Sequence, residues 1–222
     1  MTGGAQGGVQ AVISDFGGVL TTPLIEAFAR VQEHDGVTLE HFGMAMFKAS
    51  EGRDENPLFP LERGEMSEEE FLGIVGAALT EVVGRPIDAT GFGERYFAHL
   101  RTNDRMLDHL RDLRDTRGIR LAMLTNNVRE WEARWRAMIP DIDELFELIV
   151  DSAFVGMRKP DPRIYQLTLE RLGLPAEACA FVDDIEENVT AAAALGLHAV
   201  HFTSTDDAIA QLDALAPAPP PR

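Results

Sequence analysis

Four groups of polar residues have types and positions suited to chemistry: Asp15, Thr125-Asn126, Lys159 and Asp183-Asp184. Each follows a short apolar run of the kind that forms a buried strand in a parallel sheet. Carboxylates, a hydroxyl, an amide and an ammonium at the carboxyl ends of such strands meet where open α/β sheets bind their ligands. Asp15 is the candidate nucleophile, attacking a phosphorus centre to form an aspartyl-phosphate. Asp184 with Asp15 offers hard oxygens for Mg²⁺, which takes few protein oxygens and keeps waters and substrate phosphate. Thr125 and Asn126 can donate hydrogen bonds to phosphate oxygens, and Lys159 supplies a fixed cation. Three crowded carboxylates repel, so without a cation one of them tends to hold a proton.

Each group also has an ordinary structural reading. Thr125-Asn126-Asn127 fits a strand-exit turn, Lys159 a solvated surface lysine, and Asp183-Asp184 the cap of the next helix. Their joint placement after separate strands favours the chemical reading.

The elements that position them follow from pattern. The stretch 9–22, VQAVISDFGGVLTT, is a β-branched strand that ends in Asp15 and turns through Gly17-Gly18; glycines allow a sharp turn and close approach to a ligand. Helical spacing is expected over 24–36 and 39–49. The breaker-rich segment SEGRDENPLFPLERGEM reads as a loop. Ser67 and Glu70 form a capping box for a helix reaching about Val83, and another helix is expected over 90–101. Strand and helix then alternate: helix 104–116, strand 120–125, helix 129–138, strand 148–151, helix 161–172, strand 180–182, helix 185–195, strand 199–202 and helix 206–215. The expected fold is therefore α/β, a doubly wound, Rossmann-like, mainly parallel sheet with an inserted α-helical cap. The core is assigned to 9–21 and 103–216 and the cap to 22–102, a lid above Asp15. Residues 1–8 and 217–222 are expected to be flexible ends.

Composition narrows the partners. The 222 residues carry a formal charge of −17, which argues against nucleic acid or an anionic membrane surface. An anionic substrate then needs local positive charge at the site. The single cysteine, Cys179, rules out an intrachain disulfide and fits a reducing cytoplasm. No apolar run is long enough to span a membrane, and MTGGAQGG lacks the features of a signal peptide. The six histidines (34, 41, 99, 109, 198 and 201) form no metal-like cluster. Trp131 and Trp135, one helical turn apart, are expected to pack or to sit at an interface, with Arg129, Arg134 and Arg136 open to a substrate-contact role. The chain is expected to be a monomer or homodimer.

DFGGVLTT, LTNN, GMRKPDPRIY and FVDDIEENVTAAAALG resemble, in order, the four motifs of the haloacid dehalogenase superfamily. The last two are most similar to the branch containing the N-terminal phosphatase domain of soluble epoxide hydrolases, and ERGEMSEEEF is similar to a segment of its cap. The resemblance implies a Mg²⁺-dependent phosphatase acting on a small phosphorylated metabolite. It implies the aspartyl-phosphate on Asp15, with Thr125, Asn126 and Lys159 as phosphate ligands. Asp184 would bind the metal with Asp183 close by, and the Gly17 carbonyl would add a main-chain ligand. Phosphatases of the family usually carry a second Asp, the general acid and base, where this chain has Gly17. Two alternatives therefore stand: a metal-independent dehalogenase-type hydrolase, and a non-catalytic phosphometabolite-binding protein.

Overall fold

The computed structural model describes residues 8–23, 26–27 and 36–216. Its centre is β1 (Ala11–Ser14), in which all four residues are buried. The sheet has five strands in the order β3-β2-β1-β4-β5, with β2 at Arg120–Thr125, β3 at Leu148–Asp151, β4 at Cys179–Asp183 and β5 at His198–His201. All four pairings are parallel. The order reverses beside β1, which lies between β2 and β4, so the crevice above these strands is a ligand site by topology. The register pairs Ser14 with Met123 on one side and with Val182 on the other. Asp15 is therefore level with Asp183 on one side and with Leu124 on the other, and Thr125 stands one residue beyond.

Alternation along the strands sends apolar side chains to both faces. Val12, Leu121, Met123 and Val182 meet Leu110 of α5 (Asp104–Arg117), Trp135 of α6 (Glu132–Met138) and Leu212 of α11 (Thr205–Leu215). Ile13, Ala122, Leu124 and Phe181 meet Ile164 and Tyr165 of α9 (Pro162–Leu172) and Ala192 of α10 (Glu186–Ala194). Two-sided coverage explains why the strands are apolar runs rather than alternating ones. It matches the doubly wound fold expected from sequence.

The insert between β1 and α5 is helical: α1 (Leu39–Ser50), α2 (Leu58–Glu62), α3 (Glu68–Val83) and α4 (Phe92–His99). Ser67 caps α3 as expected, accepting from the Glu70 N–H while Glu70 reaches back to Ser67. The insert has its own core, with Ala45, Leu61, Phe71, Val75 and Leu79 buried together. Its two ends are tied: Thr21 bridges Thr102, the Thr22 N–H donates to Arg101 O at 2.8 Å and the Asn103 N–H to Leu20 O at 2.8 Å. The expected helix over 24–36 and the expected flexible ends lie, apart from a few residues, outside the described residues.

Three differences from the sequence expectations have local causes. The segment read as a loop contains α2. Pro60 lies in its first turn, where a missing N–H costs nothing, and Asn56 Oδ1 accepts from the Leu58 N–H. The helix expected over 129–138 begins as a 3₁₀ turn, Arg129–Trp131, and becomes α-helical at Glu132. Two one-turn helices, α7 (Ile142–Leu145) and α8 (Ser152–Val155), lie in segments too short to show a period.

Candidate active site

Asp15 follows β1 directly. Its N–H donates to Val182 O at 2.9 Å, which fixes the carboxyl at the strand tip. The chain then turns through Gly18, whose φ is +77°. A Cβ on Gly18 would overlap the Asp184 carboxylate, so this glycine is required by conformation and by close approach together. Gly17, in contrast, keeps a negative φ.

Lys159 is the hub. Its side chain is 1% exposed, and Nζ lies 2.8 Å from Asp15 Oδ1 and 2.6 Å from Asp183 Oδ2. Nζ also donates to Leu124 O at 2.9 Å. Its three hydrogens therefore have three acceptors from three strand tips. Burial alone would lower the lysine pKa, but Asp15 and Asp183 reverse this and hold it above its ordinary value.

Asp15, Asp183 and Asp184 each place a carboxylate oxygen within 4.8 Å of the others. Burial pushes the Asp15 carboxyl up to about 7; the Asp183 and Asp184 charges add to this, and Lys159 opposes it. Asp184 is also raised, first by burial and then by Asp183. One lysine thus under-compensates three acids, and the hard oxygen set with its surplus negative charge fits a small divalent cation.

The carboxylates are not equivalent. Asp183 is fully buried, and its oxygens also accept from Asn188 Nδ2 at 3.0 and 3.1 Å and from the Ile185 N–H at 2.8 Å. Its partners make it an anchor for Lys159. Asp184 and Asp15 are left as the better-presented oxygens. Asn126 is a brace as well: Nδ2 donates to Lys159 O at 3.0 Å, and Oδ1 accepts from the Lys159 N–H at 2.8 Å. Thr125, 2% exposed, and Asn126 line a cavity together with Gly17.

All the residues expected at the site from sequence thus lie around one crevice. Sequence reasoning missed Asn188, which holds Asp183, and the Leu124 carbonyl, which no residue type announces. It also missed the ion pair of 2.5 Å between Arg158 and Glu62, which ties the insert to the Lys159 loop. Asn188 lies five residues beyond Asp183, a spacing that reaches back over the first turn of α10. Trp135 packs in the core against Phe16, ring centroids 5.7 Å apart. Trp131 stacks on Tyr96 at 5.6 Å and lines the cavity. Arg129 donates to Ala153 O and Arg136 pairs with Glu132 and Asp143, so these two are committed elsewhere. Arg134 is exposed.

Comparison with known proteins agrees with this architecture. A family model described as haloacid dehalogenase-like hydrolase matches residues 9–196. The chain is 30% identical over 215 residues to acyl-CoA dehydrogenase family member 10 of Mus musculus, covering 93% of this chain and 19% of that protein. It is 36% identical over 83 residues to phosphatase MT3486 of Mycobacterium tuberculosis, covering 37% of this chain and 38% of that protein. The chain thus spans well under half the length of either relative within the matched region. Among solved structures, the wild-type HAD family enzyme BT-2542 of Bacteroides thetaiotaomicron, in complex with magnesium and inorganic phosphate, superposes with a TM-score of 0.62. The identity is 21%, covering 87% of this chain and 94% of that one. With a parallel sheet whose strand tips gather these side chains and a family model matched over most of its length, this chain belongs to the haloacid dehalogenase-like hydrolases.

Proposed function

We propose that this hydrolase is a Mg²⁺-dependent phosphatase that passes the phosphoryl group of a small phosphorylated metabolite to Asp15 and then to water. The observation that carries this reading is the Lys159 ammonium 2.8 Å from Asp15, beside a cluster of three carboxylates. Relatives named as phosphatases and a fold neighbour holding magnesium and phosphate support it.

Asp15 and Asp184 would hold the metal, with Asp183 behind them and the Gly17 carbonyl as a further oxygen. When bound, Mg²⁺ supplies charge neutralisation at the transferring phosphoryl group. The chain's own residues do the rest. Asp15 Oδ attacks phosphorus, a new P–O bond forms, the bond to the leaving oxygen breaks, and the departing alkoxide takes its proton from water. Lys159 and Thr125 stabilise charge on the phosphoryl oxygens, and Asn126 keeps Lys159 in place. Water then attacks phosphorus, the bond from Asp15 Oδ to phosphorus breaks, a proton passes to solvent, and phosphate leaves with Asp15 returned as a carboxylate.

Gly17 leaves the leaving oxygen without a carboxyl to protonate it, which limits the reaction to esters with stable leaving groups or to slow turnover. General acid help is worth about 10²–10⁴-fold, and Gly17 does not adopt the positive φ that would strain a side chain. Gly17→Asp is expected to raise kcat for an alkyl phosphate by about 10–100-fold and to change that for p-nitrophenyl phosphate far less. A variant no faster on either ester would count against the missing-acid account.

The same gap favours a second reading, a dehalogenase-type hydrolase in which Asp15 displaces halide from carbon. The two separate on metal. EDTA is expected to abolish release of phosphate from a monoester panel and Mg²⁺ to restore it. Metal-independent release of halide from a 2-haloacid, with no phosphatase activity, would reverse the choice. Phosphate binding with no turnover of either substrate would favour a binding protein.

A further inference from the structure

A cavity of about 390 Å³ lies between insert and core. One end is formed by Gly17, Thr125 and Asn126; the rest is walled by residues such as Leu61, Phe71, Val75, Leu79 and Trp131. We propose that this chamber receives the alcohol part of the substrate, and that the esters hydrolysed are phosphate monoesters of apolar alcohols. The proposal rests on the phosphatase reading for its chemistry and on the chamber alone for its specificity.

The charges on the described part of the wall disfavour the common polar alternatives. Among the described lining residues the charged groups are Glu62, Glu68, Asp88 and Arg95, three acids to one base. Glu62 is paired with Arg158, and Arg95 Nη1 donates to Thr90 O at 2.6 Å. Among the described lining residues this leaves Glu68 and Asp88 against Arg95, so a second phosphate or a carboxylate on the substrate would meet more negative than positive charge. A sugar would bury hydroxyls against leucine, valine and phenylalanine, and each unpaired one is penalised. An alkyl or terpenoid chain loses nothing there and gains its transfer from water.

The volume sets the length. Taking each methylene as about the size of a liquid water, near 30 Å³, the chamber holds on the order of a dozen carbons. The phosphate stays at the strand tips and the chain runs away from them under α3.

The test uses the Mg²⁺-loaded protein and n-alkyl phosphates from ethyl to dodecyl, below their micelle-forming concentrations. kcat/KM is expected to rise about threefold to fourfold per methylene and to level off near ten to twelve carbons. Leu79→Trp, which fills the chamber, is expected to lower the decyl-to-ethyl ratio of kcat/KM at least tenfold; Val75→Phe is the second variant should the first misfold. A readout without turnover is calorimetry of Asp15→Asn with 1-decanol and with ethanol. Binding of decanol, and its loss in Leu79→Trp, supports the chamber even if no ester is hydrolysed, in which case the phosphatase reading alone fails. A flat chain-length series among esters that are turned over, with no decanol binding, overturns the proposal and leaves the phosphatase reading intact.

Discussion

Lys159→Met is expected to abolish turnover and to lower the stability of the metal-free protein by about 3–5 kcal/mol at pH 8, the usual result of removing one member of a buried ion pair. The ammonium has two carboxylates within 2.8 Å and a carbonyl at 2.9 Å. Without it, Asp15 and Asp183 face each other uncompensated in a site with almost no solvent. At this chain length the loss corresponds to a Tm lower by roughly 6–20 °C. The deficit should shrink toward pH 5, because the Asp15 carboxyl, raised by burial, takes up a proton there and the repulsion weakens. Lys159→Arg should not rescue activity, since a planar guanidinium does not fit the position of a compact ammonium with three acceptors. Thermal melts at pH 5 and pH 8 with a phosphate-release assay check this. A variant with the parent's Tm and activity would show that Lys159 is not the hub.

Asp15→Asn is expected to lower kcat by a factor on the order of 10⁴ or more, as loss of a nucleophile commonly does, while making the metal-free fold more stable. The physical reason is that burial raises the Asp15 carboxyl from 3.8 to about 7. A carboxyl whose pKa is raised in the fold stabilises the protein fully below its unfolded value, and that contribution is lost as pH climbs through its folded value. The metal-free parent should therefore lose stability between about pH 4 and pH 7, and the variant should show a flatter profile. At pH 8 the variant should be more stable by about 1–3 kcal/mol. This is less than the roughly 4 kcal/mol that the full shift represents at 1.36 kcal/mol per unit, because Lys159 loses one of its partners. Saturating Mg²⁺ should stabilise the parent more than the variant. Equal activity in the variant would remove Asp15 from the chemistry.

Both results concern a site that is expensive to fold without its cation, and this cost was visible in the sequence as crowded carboxylates in an acidic chain. Asp15, Thr125, Lys159 and Asp183-Asp184 could be picked out because each sits just beyond an apolar run, and a parallel sheet must bring such ends together. The capping box at Ser67 and Glu70 was equally legible, since it depends on residues three apart. The helix Leu58–Glu62 was not, because Pro57, Pro60 and Gly64 suggest a break when read without the hydrogen bond from the Leu58 N–H to Asn56 and the packing of Leu61 in the insert's core.

What the sequence determined by itself was local: which segments are strands, which side chains stand at their tips, and that Gly17 carries no carboxyl. These follow from periodicity and residue type, which act over a few positions. The division of labour within the cluster came only with the tertiary structure. Asp183 and Asn126 hold Lys159 through partners 24 and 33 residues away. The apolar chamber is likewise a product of packing. Its walls come from helices far apart in the chain, and each supplies an ordinary apolar face that becomes a cavity only where insert and core leave a gap between them.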